Sequence, residues 1–184
     1  GTLGSVTTGV GGTIAPGNSI GTLDLANITF NAGSTYMVEL KEGGGAAGTH
    51  NDLINAAGTV TINGGTVHVT PENGTDNGKT YTPKTTYIII TAAGGVTGAF
   101  AAVVDDYAFL DFALSYDANN VFLTSSVAAT TFCLSGMTAN QCATGNAAFS
   151  VGSGTMFDAL LNLSSAQAVG ALDQLSGEIH ASTS

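Results

Sequence analysis

Residues 22–30 read Thr22-Leu23-Asp24-Leu25-Ala26-Asn27-Ile28-Thr29-Phe30, a stretch in which apolar and polar side chains alternate. Alternation sends successive side chains to opposite faces of an extended chain, which is typical of a half-buried β-strand. We therefore predict one strand over residues 22–30. The same pattern recurs outward along the chain, at 35–40, 52–56, 59–62, 66–70, 86–91, 109–116 and 121–124.

Glycine and asparagine separate these strands, as in Asn63-Gly64-Gly65. Both residue types tolerate a positive φ, so tight turns are expected between the strands. Such turns could be hairpins of a β-sandwich, or corners of a β-solenoid whose coils stack about 4.8 Å apart. A polar but uncharged surface, with Asn and Thr placed to stack as ladders, favours the solenoid. Its last coils are expected to end in a hairpin that protects the open end.

The composition excludes several classes of function. The 184 residues include 13 acidic and 3 basic side chains and no arginine, for a net charge of −10. Nucleic-acid binding is therefore excluded as a function, because neutralising phosphates requires Lys and Arg. No apolar run approaches the ~20 residues that span a bilayer. The chain begins at Gly1 without an initiator Met, and we expect a processed or excised piece of a longer protein.

From about Thr138 the pattern becomes helical. Capping boxes are predicted at residues 138–141, 155–158 and 164–167, each ahead of an Ala/Leu-rich stretch. Ala168, Leu172, Leu175 and Ile179 form one apolar stripe, and Gly145, Gly152 and Gly154 are expected to divide the run into short helices. We predict two parts: β-coils and their cap over residues 1–125, and a linker with a helical tail over residues 126–184.

The chain has two cysteines, Cys133 and Cys142, with eight residues between them. This spacing is compatible with a local disulfide in an oxidising compartment. We predict that disulfide, which would clip the start of the helical tail to the last strand. A zinc site is not expected, because there is no CxxC motif and no suitably placed histidine.

Catalytic and metal sites are not predicted. His50, His68 and His180 have no metal-ligand spacing, and no G-x-S-x-G motif accompanies them. The adjacent carboxylates Asp105 and Asp106 are interpreted as a solvated loop, because neighbouring residues of a strand face opposite ways. A polysaccharide lyase, the enzymatic alternative on a β-helix, is disfavoured by the absence of arginine. We expect no enzyme activity and no cofactor.

An ordered series of motifs begins at residues 15–23, Ala15-Pro16-Gly17-Asn18-Ser19-Ile20-Gly21-Thr22-Leu23. This stretch resembles the A-P-G-N-S-I-G-T-L signature near the C-terminal end of the passenger domains of classical autotransporters. Residues 30–36, 51–54, 94–100 and 114–123 resemble the steps that follow it, and residues 172–182 look like the segment just before the membrane barrel. The series covers nearly the whole chain.

The resemblance implies an all-β fold, the end of a right-handed parallel β-helix with a C-terminal cap, followed by a short helical tail. It implies a folding nucleus and cap for a passenger on the surface of a Gram-negative cell. The expected partners are the protein's own outer-membrane β-barrel and upstream passenger coils. An adhesin module that binds a host protein or glycan is the alternative function. The residues expected to matter for packing and register are Pro16, Gly17, Asn18, Gly21, Leu110, Leu114, Tyr116, Val121 and Leu123.

Overall fold

Three stacked sheets and three short helices make up the described part of the chain. The computed structural model describes residues 1–41, 45–72, 85–128 and 130–177. The strands are β1 (Val6–Thr8), β2 (Thr13–Ile14), β3 (Thr22–Leu25), β4 (Ile28–Asn31), β5 (Thr35–Leu40), β6 (Leu53–Ala56), β7 (Val60–Asn63), β8 (Thr66–Pro71), β9 (Thr86–Ala92), β10 (Val96–Gly98), β11 (Ala102–Asp105), β12 (Leu110–Tyr116) and β13 (Asn120–Val127). The helices are α1 (Ala139–Val151), α2 (Thr155–Leu161) and α3 (Ser165–Ser176).

Consecutive strands visit three sheets in turn, so the chain runs in coils. The first sheet has the order β1-β4-β7-β10, the second β11-β8-β5-β2 and the third β12-β13-β9-β6-β3. Strands of successive coils pair in parallel, with Ile28 beside Val60 and Val60 beside Val96. This connectivity is compatible with a β-helix. The hairpin interpretation of Asn63-Gly64-Gly65 is wrong, because this turn joins strands of two different sheets.

The single strand predicted over residues 22–30 is also wrong. The stretch contains two strands, β3 in the third sheet and β4 in the first, with a corner at Ala26 and Asn27. The corner is stabilised by the next coil, because the Asn27 side-chain oxygen accepts a hydrogen bond from the Thr59 N–H at 2.8 Å. Turning there lets Leu25 and Ile28 both point into the core, where each is almost fully buried.

Apolar side chains from all three sheets fill the space between them. Phe30, Tyr36 and Phe100 pack together, with 5.0 Å between the ring centroids of Phe30 and Phe100. The buried Tyr36 hydroxyl donates a hydrogen bond to the Ile89 carbonyl at 2.8 Å, which satisfies its polar end. Polar ladders run outside, and the Asn63 amide donates to the Asn31 side-chain oxygen at 3.0 Å. The stacking of asparagine predicted from the sequence is therefore confirmed at these two positions.

The predicted terminal hairpin is confirmed. Strands β12 and β13 pair antiparallel, and β13 also pairs antiparallel with β9 at the edge of the third sheet. The two antiparallel strands follow the last parallel coil. They occupy the edge on which a further parallel coil of the third sheet would otherwise stack.

The helices start mostly where their capping residues predicted. Thr138 caps α1 and Ser164 caps α3, and each forms a complete capping box, with Gln141 and Gln167 respectively. The box predicted at Thr155 is wrong. Gly154 is the N-cap of α2 and makes no side-chain cap hydrogen bond, so Thr155 already lies inside the helix.

The helical tail packs against the capped end of the coils. Phe132 is fully buried, with its ring 4.4 Å from that of Phe109 and 5.2 Å from that of Phe157, measured between centroids. The Ala108 N–H also donates to the Leu163 carbonyl at 2.8 Å. The tail is thus attached to the coils by an aromatic cluster and by the backbone.

Two details of the predicted tail differ. Gly145 does not interrupt a helix but lies inside α1, where a Cβ would collide with the carbonyl oxygen of Phe132. Along the predicted stripe Ala168 and Leu172 are fully buried, whereas Leu175 is 50% exposed. Ile179 lies outside the described residues.

Strand β13 runs past residue 125 to Val127, and the division into residues 1–125 and 126–184 stays a prediction. Among the described residues, no helix has the length and apolarity to cross a membrane.

Candidate functional site: the stacked corner around Asp52

The signature loop of residues 15–21 forms the corner that joins β2 of the second sheet to β3 of the third. Pro16 is buried in this corner, while Gly17 and Asn18 are exposed. Gly17 has a φ of +84°, and a Cβ there would lie 2.6 Å from the Ser19 carbonyl oxygen. A Cβ on Gly21 would lie 3.2 Å from the Gly17 Cα. The loop has no room for a side chain at Gly17, and one at Gly21 would require the Gly17 backbone to shift by a few tenths of an ångström.

Asp52 ties this loop to the next coil. Its Oδ1 accepts a hydrogen bond from the Gly21 N–H at 2.8 Å, and its Oδ2 accepts one from the Glu39 N–H at 2.9 Å. Asp52 is buried, with only 1% of its surface exposed. One carboxylate therefore satisfies two backbone donors from two different coils and fixes the register of the corner.

Glu72 extends the arrangement to a third coil. It is buried, and its carboxylate accepts a hydrogen bond from the Ser19 hydroxyl of the signature loop. Its other oxygen lies 3.7 Å from Nζ of Lys41, which forms an ion pair with it. The corner thus contains three carboxylates, those of Glu39, Asp52 and Glu72, and one described cation.

The electrostatics follow from burial and crowding. Burial raises the pKa of Asp52 to about 6; the Glu39 and Glu72 charges add to the rise, while the N–H donors of Glu39 and Gly21 oppose it. Burial also raises the pKa of Glu39, and the charge of Glu72 adds to that effect. Near neutral pH the corner therefore contains closely spaced negative charge that the backbone donors stabilise only in part.

A small cavity of about 200 Å³ opens at this corner, lined by Ala15, Pro16, Gly17, Asn18, Met37, Glu39 and Asp52. The described residues contain no group of three or more His, Cys, Asp or Glu side chains positioned to hold a metal ion. Both oxygens of Asp52 are directed at backbone N–H groups, so its chemistry here is to accept hydrogen bonds. The corner acts as a latch between coils.

The predicted packing residues of the closing coils divide into two groups. Leu110, Val121 and Leu123 are buried, and Leu123 is 0% exposed. Leu114 and Tyr116 are only partly buried, although both pack against the core. The Tyr116 hydroxyl accepts a hydrogen bond from the Phe100 N–H at 3.1 Å, so it links the cap to the last corner.

Cys133 and Cys142 are joined by a disulfide, with 4.6 Å between their Cα atoms. Cys142 lies in the first turn of α1 and Cys133 directly follows Phe132, the aromatic residue that joins tail and coils. The disulfide thus holds the segment that directly follows Phe132 against the first turn of α1.

Among the described residues, His50, His68 and the pair Asp105 and Asp106 do not form a reactive centre. His68 Nε2 lies 2.9 Å from Asp106 Oδ1, in a partly exposed hydrogen bond. Asp105 ends β11 and is not in a fully solvated loop: burial raises its pKa to about 6, with the Asp111 and Asp106 charges adding. Neither His50 nor His68 is hydrogen-bonded to a described serine, and His180 lies outside the described residues.

Sequence reasoning included Asp52 in the motif at residues 51–54 without giving it a role, and it did not single out Glu72 or Phe132. Asp52 and Glu72 are buried carboxylates in a chain with 9% charged residues, and each directly precedes or follows a strand. A charge at the end of an apolar stretch was the available signal. Phe132 is adjacent to Cys133, but nothing in its own neighbourhood predicts contact with Phe109.

No protein-family model matches this sequence. Over 128 residues the chain is 37% identical to an extracellular serine protease of Serratia marcescens. The similarity covers 67% of this chain but 12% of that protein, so the chain spans only a small part of the relative's length. The similarity is consistent with an autotransporter passenger region, and with a surface or secreted location.

Proposed function

We propose that this chain is the C-terminal folding nucleus and cap of a surface-exposed autotransporter passenger. Its coils would form a right-handed parallel β-helix, the hand that nearly all parallel crossovers adopt. Its partners would be the upstream coils of the same passenger and an outer-membrane β-barrel of the same protein. The role is one of packing and register, without catalysis or a cofactor.

The observation that carries this proposal is the difference between the two ends of the stacked sheets. At one end β13 and β12 cover the edge of the third sheet, and the helical tail packs beside them. At the other end β1, β2 and β3 are the edge strands of the three sheets, and beyond them the described residues add only one parallel bridge, from Leu3 to Leu25 of β3. One end is capped, and the other presents three parallel edges together.

This difference has a direct physical meaning. Stacked coils contact only their neighbours, so their stability is approximately a sum of coil and interface contributions and folding spreads from a stable unit. An open parallel edge is a template for pairing with more strand, while an end covered by a hairpin is not. Further coils of the same passenger would be added on the side of β1, β2 and β3.

The corner around Asp52 supports the nucleus role. It connects the signature loop, β5 and β6 through one buried carboxylate, and Glu72 joins the third coil to the same loop. Contacts that fix several coils at once stabilise them together rather than singly. We expect the three coils to fold as one cooperative unit that is more stable than upstream coils lacking such a latch.

Deleting residues 15–123 from the full-length protein, and measuring display of a protease-resistant passenger on the cell surface, tests the proposal. The expected result is loss of resistant passenger with the barrel still inserted. Replacing Asp52 with Ala in the full-length protein is a milder version, with Asp24→Ala on an exposed strand position as the matched control. Undiminished display of a resistant passenger after the deletion would overturn the nucleus role.

The adhesin alternative is separated by a binding experiment on this chain. A panel of host glycans and surface proteins is presented to the purified, folded chain. Saturable binding that depends on exposed residues would favour the adhesin, while high cooperative stability without binding favours the cap. The protease activity in the name of the Serratia protein belongs to that whole protein, and we do not propose it for this chain.

A further inference from the structure

One whole side of the coil stack carries no charge. It consists of the first sheet, β1-β4-β7-β10, and the two corners that flank it, which are residues 4–12, 26–34, 57–65 and 93–101. All 13 acidic and 3 basic residues of the chain lie elsewhere in the sequence. We call this side the neutral face.

Its outward side chains include hydroxyl and amide groups in register, and at its corners several exposed alanines and Val10, which is 92% exposed. Thr7, Thr29, Thr61 and Thr97 lie side by side across the four strands. On one side of this row the Asn27 amide donates to the Ser5 hydroxyl at 3.0 Å, and on the other the Asn63 amide donates to Asn31. The inward neighbours, such as Ile28 and Val60, are buried. The face is a flat array of small polar groups.

We propose that the neutral face is a self-association surface, and that its occupant is the neutral face of a second copy of this chain. A net charge of −10 makes two copies repel each other wherever their acidic surfaces approach. Of the three sides of the coils that the described strands form, the neutral face is the one on which two copies can meet without bringing like charges together.

Hydroxyl and amide groups also suit a symmetric contact. Each can donate and accept a hydrogen bond, so a surface made of them is complementary to itself under a two-fold axis. Two identical parallel sheets share one rung spacing, so their rows can match along their whole length. Short side chains lose little conformational entropy when they are immobilised, compared with Lys or Glu.

The chemistry favours a second copy over a neutral polysaccharide. Sugar rings are bound in proteins largely by packing on exposed aromatic rings, and the aromatic residues of the neutral face, Phe30 and Phe100, are buried. The face offers hydrogen-bonding groups, and its exposed Val10 is a single small side chain at a corner rather than a ring on which a sugar could pack. A second copy needs only the hydrogen-bonding groups and the flat shape.

The size of the face predicts a weak contact. Four rungs about 4.8 Å apart span about 14 Å, and nine residues of each coil extend at most about 30 Å, giving at most about 400 Å² of flat area. Stable dimers bury about 800 Å² per partner. Association should therefore be concentration-dependent and reversible for this chain.

Sedimentation velocity over a concentration series tests the proposal, using the 184-residue chain. The wild type is expected to shift toward a dimer as concentration rises. Thr61→Glu and Thr61→Lys should each raise the apparent dissociation constant at least about tenfold, because either charge would lose its hydration in the contact and would face a surface without an opposite charge. Thr91→Glu and Thr91→Lys, at an outward position of the third sheet, are the controls and should change it less than about twofold.

The control is conservative, because the Thr91 hydroxyl makes a hydrogen bond to Asn55 that the substitution removes. Thermal melting checks that every variant is folded, and Thr97→Glu on the exposed last rung replaces any Thr61 variant that is not. The proposal is overturned if the wild type sediments as a monomer at every soluble concentration. It is overturned equally if the Thr91 variants weaken association as much, if Thr61→Lys strengthens it, or if a monomeric wild type binds a neutral polysaccharide through this face.

Discussion

Replacing Asp52 with Asn changes the latch between coils while keeping its shape. The aspartate accepts one hydrogen bond on each oxygen, from the N–H groups of Gly21 and Glu39. The amide of asparagine has only one oxygen, so its NH₂ group must face one of the two backbone donors. That donor is left buried without an acceptor.

The expected cost at neutral pH is the difference between two effects. A buried donor that loses its acceptor costs about 1–3 kcal/mol. Against this, the substitution removes a negative charge whose burial beside Glu39 and Glu72 is unfavourable. Burial raises the pKa of Asp52 from 3.8 to about 6. At about 1.4 kcal/mol per pKa unit, the free energy gained by removing this charge is at most about 3 kcal/mol. The site lines a cavity that opens at the corner, and solvent screening there discounts the relief to about 1 kcal/mol. We expect a net destabilisation of about 1 kcal/mol at pH 7.

The sign of the pH dependence follows from the direction of the pKa change. Because the folded pKa lies above the unfolded value, the folded state binds the proton more tightly. The Asp52 contribution to stability is therefore fully present below about pH 3.8 and is lost as the pH rises through about 6. Asparagine has no such dependence. The destabilisation by Asp52→Asn should accordingly be about 1 kcal/mol larger at pH 4.5 than at pH 7.

Urea unfolding followed by circular dichroism at pH 4.5 and pH 7 measures both quantities. Asp24→Asn is the matched control, because Asp24 is exposed and accepts only the exposed Asn55 amide, at 2.8 Å. Its effect should stay within about 0.5 kcal/mol at both pH values. If Asp52→Asn is as stable as the wild type, or if its effect is the same at both pH values, the carboxylate does not latch the corner.

Three further changes test the cap and the tail. Leu123→Ala, at a fully buried position, should lower the free energy of unfolding by about 2–5 kcal/mol. Leu114→Ala, at a half-buried position on an edge strand, should lower it by clearly less. Equal effects of the two substitutions in urea unfolding would contradict this packing. Reducing the Cys133–Cys142 disulfide should cost about 2–3 kcal/mol, measured by thermal melting with and without reductant and verified by the mass shift. Gly145→Ala should destabilise the tail by more than about 1 kcal/mol, because the added Cβ would collide with the Phe132 carbonyl oxygen. Alanine has the higher helix propensity, so without that collision the variant would be more stable than the wild type. A stabilised variant in thermal melting would show that α1 does not pack against Phe132.

The alternation of apolar and polar residues predicts the strands, but it also extends one strand through Ala26 and Asn27, where the structure has a corner. The sequence contained the signal in the phase of its alternation. Leu23 and Leu25 are separated by two positions, as are Ile28 and Phe30, but Leu25 and Ile28 are three apart. A change of phase cannot occur within one flat strand that keeps its apolar face inward, so it marks a turn from one sheet to the next.

The latch could not be predicted from local patterns, because its parts are distant in sequence. Asp52 accepts from Gly21 and Glu39 only once the coils are stacked in the correct register. The resemblance series singled out the glycine loop and residues 51–54 separately, without connecting them. Leu114 shows the opposite limit: it continues the inward-facing pattern of Leu110 and Phe112 along β12, but those two residues are buried and Leu114 is not, so the alternation alone does not predict burial along this strand.

The helical tail has a physical connection to the cap that composition alone does not reveal. Composition divides the chain near residue 125, because the polar β-pattern gives way there to Ala/Leu-rich helices. Packing instead joins the two sides: Phe132 contacts Phe109 of the coils and Phe157 of α2, and the Ala108 N–H donates to Leu163. Groups that share one buried cluster lose their contacts together when either side opens. The tail therefore helps to hold β12 and β13 in place at the capped end of the coils. Loosening the tail should weaken their cover of the β9 edge of the third sheet.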